Sequence, residues 1–169
     1  MPVTLDPVAY PLDHLASFGA DGAPALILRD RTLTYQDLRS RIGQLAAWLE
    51  QQMPEKGTRV ASWAGKGELT CLMPLAAARA GLVHVPVNPL LKHAQVAHIL
   101  ADSGARLLIG NSARLASLGA ADVPEQCMLV EDIAALASAD AVVGPLPESD
   151  VDPEDLAAIL YTSGATGRP

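Results

Sequence analysis

Residues 59–85 read RVASWAGKGELTCLMPLAAARAGLVHV, and this stretch decides the fold class. Arg59–Trp63 is a short, largely apolar run of strand length. Glu68–Arg79 follows, rich in Leu and Ala and long enough for a helix. Gly81 stands where a helix commonly ends in the left-handed conformation. Residues 82–85 then form a second apolar run. Two strands separated by one helix imply parallel pairing with a crossover helix packed on the sheet.

The same alternation continues downstream. Residues 92–102 read as a helix closed by Gly104, and 106–109 as a strand. Residues 113–118 read as a short helix closed by Gly119, and 127–130 as a further strand. Upstream, residues 1–11 hold three prolines and read as an extended lead-in, followed by a short helix at Leu12–Phe18 ending near Gly19. Residues 25–28 and 32–35 form a predicted β-hairpin across Arg29-Asp30-Arg31, a turn without glycine. Tyr35, Leu38, Ile42, Leu45 and Leu49, spaced 3, 4, 3 and 4, make one helical stripe that should end before Pro54. Thr34 is placed to cap this helix, with Asp37 three residues on. The expected fold is α/β: a mainly parallel sheet with helices on both faces, preceded by a short β-hairpin.

Composition narrows the function. The 169 residues fit one domain, and 50% are hydrophobic but only 4% aromatic, which favours helices on a sheet over an all-β sandwich. The net charge is −7 and no basic cluster occurs, which argues against nucleic-acid binding. Cys71 and Cys127 lie in apolar runs and read as buried, reduced thiols without disulfide or zinc spacing. The N-terminus lacks the basic and apolar regions of a secretory signal, and Pro74 and Arg79 interrupt the best apolar span. A cytoplasmic protein without a membrane span is expected.

Residues 137–153 read as the least structured stretch. Glu148, Asp150, Asp152, Glu154 and Asp155 are closely spaced like charges, which read as a solvated linker in preference to a metal site. Residues 156–161 read as a last strand. It delivers a loop of Thr162, Ser163, Gly164, Ala165, Thr166 and Gly167. Glycines let the backbone approach an anion, amide groups point at it and hydroxyls add donors, so this loop can wrap a phosphate. No lysine follows Gly167, so it is not a Walker A loop, and it lacks the Gly-x-Gly-x-x-Gly dinucleotide fingerprint. His84 reads as a core or edge histidine. His14, His93 and His98 show no metal or triad spacing, and Trp48 and Trp63 read as packing residues.

Three landmarks stand in order: Leu33-Thr34-Tyr35-Gln36-Asp37-Leu38; Ala77-Ala78-Arg79-Ala80-Gly81 with Val85-Pro86-Val87-Asn88-Pro89; and the loop from Tyr161 to Pro169. Together they resemble the adenylate-forming superfamily of acyl- and aryl-CoA ligases, luciferases and peptide-synthetase adenylation domains. The resemblance runs from about Leu12 to Pro169.

The resemblance implies the N-terminal part of an AMP-forming ligase: an α/β subdomain over residues 1–136, an acidic Pro/Gly linker over 137–155, and a strand with a truncated phosphate loop over 156–169. Thr162, Ser163, Gly164, Thr166 and Gly167 would embrace the β- and γ-phosphates of ATP, with Mg²⁺ sharing the charge. Ala165 stands where the family usually has Ser or Thr, so one hydroxyl donor is missing. The implied substrates are a small-molecule carboxylic acid and CoA. Asn88 favours CoA ligases over amino-acid-activating domains, which more often carry Asp nearby. The family's later motifs, including its catalytic lysine, fall beyond Pro169. No catalytic residue is therefore expected within the chain, which should not adenylate alone and should self-associate through exposed edges. The alternatives are a non-catalytic interaction module or part of an amino-acid-adenylating domain.

Overall fold

The computed structural model describes residues 9–162. A 3-10 helix at Leu12–Phe18 leads into strands β1 (Pro24–Ile27) and β2 (Thr32–Thr34), which pair antiparallel as the expected hairpin. Helix α1 (Tyr35–Gln52) starts at Thr34, whose Oγ1 accepts the Asp37 amide while Asp37 accepts the Thr34 amide. That exchange satisfies two amides with no partner inside the helix.

Strand β3 (Arg59–Trp63), helix α2 (Glu68–Arg79) and strand β4 (Val83–Pro86) form the first crossover unit. Helix α3 (His93–Ser103), strand β5 (Leu107–Gly110), helix α4 (Ser112–Leu115), strand β6 (Met128–Glu131) and helix α5 (Asp132–Asp140) follow. The sheet order is β4-β3-β5-β6, and every pair is parallel. α2 ends in a Schellman turn: Gly81 sits at φ +69°, Leu82 N–H reaches Ala77 O at 2.8 Å, and Gly81 N–H reaches Ala78 O at 2.9 Å. An L side chain at Gly81 would strain that turn.

Strand side chains alternate between two cores. Val60, Leu107 and Ile109 pack with α1, α2 and α5 on one face, and Ala61, Trp63, Val85 and Leu108 pack with α3 on the other. Trp48 and Trp63 are buried packing residues, as their sequence context implied. Glu68, in the first turn of α2, pairs with Arg31 of the hairpin end and Arg41 of α1, and Arg41 also pairs with Asp140 of α5 at 3.1 Å.

Several expectations are corrected. Strands β4, β5 and β6 each begin and end one residue later than the apolar runs implied. α4 stops at Leu115, and Gly119 has φ −81°, opening a short 3-10 turn instead of closing the helix. Helix α5 reaches Asp140, so it occupies the start of the stretch read as unstructured. Residues 156–161 make a single parallel bridge, Ala158 to His84, in place of a full strand. Cys71 is exposed, because α2 buries its other apolar positions and turns Thr70 and Cys71 outward. Cys127 is buried, which pushes its thiol up to about 11.

Candidate functional site

The order β4-β3-β5-β6 follows from how the chain moves. From β3 it steps out to β4, then crosses back over β3 to β5 on the other side. In open α/β sheets, ligands bind outside the carboxyl ends of the strands near such a reversal. A cleft of about 500 Å³ lies there, lined by Trp63 at the end of β3, Leu91, Lys92 and His93 at the start of α3, and Asn111 and Arg114 after β5. His93 Nδ1 lies 3.3 Å from Asp122.

A larger cleft, about 770 Å³, lies at the opposite pole, by the starts of β3 and β4. Lys56 and Arg59 form its basic side, and Asp150, Asp152 and Asp155 its acidic side. Size alone would favour this cleft. Its position at the amino ends of the strands argues for the smaller one, since parallel strands and their following helices converge binding groups at the carboxyl pole.

The segment carrying the predicted loop joins the sheet at β4. His84 N–H donates to Ala157 O and Ile159 N–H donates to His84 O, both at 2.9 Å. This rung runs the segment parallel to β4 and so directs it toward the carboxyl ends of the strands. Ile159 and Tyr161 pack on the α3-side core, and Tyr161 Oη donates to Asp102 at 2.5 Å. Burial, with that bond and the nearby carboxylate charge, pushes the Tyr161 phenol up to about 12. Thr162 is exposed at the end of the described chain. Ser163, Gly164, Ala165, Thr166 and Gly167 lie outside the described residues.

His84 proves to be a core histidine, 3% exposed. Its Nε2 lies 2.9 Å from Ser62 Oγ, and burial pulls its pKa down to about 4, so the ring is neutral near pH 7. His93 and His98 are exposed, and His14 Nε2 meets Ser149 O at 2.8 Å. Among the described residues, no group of three His, Cys, Asp or Glu side chains is arranged to hold a metal. No helix among them is long and apolar enough to cross a membrane.

The sequence reading missed one buried polar cluster. Asp13, in the first 3-10 helix, is fully buried. It accepts hydrogen bonds from Arg79 Nε at 3.0 Å, Ser149 N–H at 3.1 Å and Ser149 Oγ at 2.6 Å. Burial alone would raise the Asp13 pKa. The bonds from Ser149 and Arg79 outweigh it and hold the carboxyl below its ordinary value. Arg79 belongs to the second landmark, but nothing local in the sequence links it to Asp13 or Ser149.

A sequence profile described as "AMP-binding enzyme" matches residues 15–169. Over 149 residues the chain is 34% identical to the L-proline–(L-prolyl-carrier protein) ligase of Pseudomonas fluorescens, covering 86% of this chain and 30% of that protein. It is 36% identical over 149 residues to a fatty acid–(acyl-carrier-protein) ligase of Streptomyces coeruleorubidus, covering 86% of this chain and 28% of that one. Among solved structures, a benzoate CoA ligase from Burkholderia xenovorans matches with a TM-score of 0.77 at 25% identity, covering 89% of this chain and 31% of the ligase. The chain thus spans about 30% of the length of these relatives.

Proposed function

Because the chain belongs to the AMP-binding enzyme family, we propose that it supplies the phosphate-binding part of a ligase that activates a carboxylic acid with ATP. In this reaction a carboxylate oxygen bonds to the α-phosphorus and pyrophosphate leaves. A thiol sulfur then bonds to the acyl carbon and AMP leaves. Both partners of the first step are anionic, so the protein must offset charge and hold the reacting atoms in line.

The observation that carries this proposal is the family match, which runs through the Thr162–Gly167 loop on a segment directed along β4. Within the loop, the hydroxyls of Thr162, Ser163 and Thr166 donate to phosphate oxygens, and Gly164 and Gly167 let the backbone amides approach. Ala165 contributes its amide alone. The loop itself carries no charge, so Mg²⁺, when bound with the nucleotide, would supply the positive charge that offsets the phosphates. Thr162, exposed at the end of the described chain, suits a donor role.

The acceptor in this proposal is the thiol of CoA, in line with the benzoate CoA ligase likeness. Transfer to a carrier protein is the second reading, favoured by the likeness to the prolyl- and fatty acid–carrier-protein ligases described above. Asn88 does not decide between them. Its Oδ1 accepts the Leu90 amide at 2.9 Å in a turn that Asp would make equally well.

The test is a hybrid in which residues 1–169 replace the matching part of the prolyl-carrier-protein ligase. Acid-dependent ATP–pyrophosphate exchange is expected from the hybrid and none from the 169-residue chain alone. Thr162→Ala should lower exchange about tenfold, the loss of one charge-assisted hydrogen bond. A folded hybrid without exchange, or turnover by the chain alone, overturns the proposal. Product analysis with CoA and with a pantetheinylated carrier protein identifies the acceptor.

A further inference from the structure

Residues 145–149 fall in the stretch that the sequence marks as a solvated linker, yet they are strapped to the body. Leu146 N–H donates to Gly43 O of α1 at 3.0 Å. A Cβ on Gly43 would lie 2.7 Å from Leu146 O, so only glycine permits this approach. Ser149 is held by Asp13 through both its amide and its hydroxyl, and its carbonyl meets His14. Arg79, at the end of α2, pairs with the same Asp13 carboxylate, and the side chains of both are almost wholly buried.

Beyond Ser149, a turn at Asp152 leads to the rung at His84. Asp155 N–H donates to Asp152 O and Glu154 N–H to Asp152 Oδ1, both at 2.9 Å. The rung adds two backbone hydrogen bonds to the packing of Ile159 and Tyr161 on the α3-side core and the Tyr161–Asp102 bond, and these few contacts stand against the entropy lost in ordering the segment. Anchorage upstream shortens the free chain and so lowers the cost of docking.

We infer that Asp13 and Arg79 form a buckle that fixes residues 145–149 and thereby positions the segment carrying Thr162 against β4. Both are positioning residues for that segment. Their consequence for phosphate binding rests on the function proposed above; the positioning itself does not.

Amide hydrogen exchange on the 169-residue chain tests the buckle. Ser149→Ala removes one bond to Asp13 and leaves the Asp13–Arg79 pair intact. It should speed exchange of the Leu146, His84 and Ile159 amides about tenfold while leaving the β5 amides at their parent rates. Asp13→Asn should speed the same amides about a hundredfold. If Asp13→Asn unfolds the whole chain, Ser149→Ala decides. Unchanged exchange at His84 and Ile159 in Ser149→Ala, or a rise shared equally by β5, overturns the inference. A hybrid ligase without pyrophosphate exchange would defeat the functional proposal while leaving this exchange pattern standing.

Discussion

The parallel sheet and the strap that follows α5 are held by different means. The sheet rests on apolar side chains contributed in turn by each strand and helix, with Ile42, Leu45, Leu49, Leu107 and Ile109 fully buried on one face. The strap rests on a few polar contacts to distant residues, Ser149 to Asp13 and His14 and Leu146 to Gly43, with the Leu146 side chain its one apolar anchor among residues 145–149. Burial by many neighbours spreads the stabilisation and tolerates the loss of any one strap contact. A chain held by a few directional bonds changes position when one is removed. The function proposed for Thr162 thus depends on the less redundant of the two regions.

The largest effect should come from the sheet side. Leu45→Ala removes a fully buried side chain from α1 and should cost about 3–4 kcal/mol in chemical denaturation. Leu160→Ala, at a side chain 71% exposed in the terminal segment, should stay within about 0.5 kcal/mol. Comparable losses at the two sites would break the distinction between the regions.

The next effect lies where the regions meet. The His84 ring is buried in the body, while its backbone holds the terminal segment. Its pKa falls from 6.5 to about 4 on folding, so the unfolded chain takes up the proton first as pH falls. Stability from the neutral ring is complete above pH 6.5 and is lost as pH drops toward about 4, a total of about 3 kcal/mol. The His84 ring signals should titrate near pH 4, and His84→Gln should flatten the acid limb of the stability curve. A titration midpoint near 6.5 would place the ring in contact with water and remove this link.

Gly43→Ala sets the two regions against each other. Alanine favours the helix by about 1 kcal/mol, but its Cβ would press on Leu146 O of the strap. A net loss of about 1–2 kcal/mol in thermal or denaturant unfolding is expected, as for overpacking against backbone. A net gain would mean that the strap lifts away from α1 at little cost.

The same contrast decides what the sequence discloses. Arg59–Trp63 and Glu68–Arg79 match their sequence reading at both ends, because an apolar run, a long Leu/Ala segment and a closing glycine are all local signals. β4, β5 and β6 shift by one residue, since a strand's last rung depends on its partner. α5 escapes the reading because its first turn has no side-chain cap and only Ala135 and Ala139 are buried, so no stripe of large apolar residues marks it. The Asp13–Ser149 contact joins residues 136 positions apart, and no local pattern encodes it. Of the candidate site, residue types alone pointed to a hydroxyl–glycine loop as the proposed phosphate holder, and all of that loop beyond Thr162 lies outside the described residues. The likeness to adenylate-forming ligases added a role, and the rung at His84 added a direction. The cleft of Trp63, Lys92 and Arg114 was not legible, because those residues come from three separate connections.

The smallest effect tests the most local signal. Thr34 Oγ1 accepts the Asp37 amide at 3.2 Å and donates to Asp37 Oδ2 at 2.7 Å, and the Thr34 amide donates to the same oxygen at 2.9 Å. Thr34→Ala deletes the hydroxyl and leaves the Asp37 amide to water, which should cost about 1 kcal/mol. Thr34→Ser keeps both hydroxyl bonds and should recover most of that loss. Because the cap joins the hairpin directly to α1, the penalty should appear in global unfolding and leave exchange at Ile159 unchanged. A selective rise at Ile159 in Thr34→Ala would mean that the body and the strap are coupled through α1. The strap's independence would then hold only for contacts made at Asp13 and Ser149.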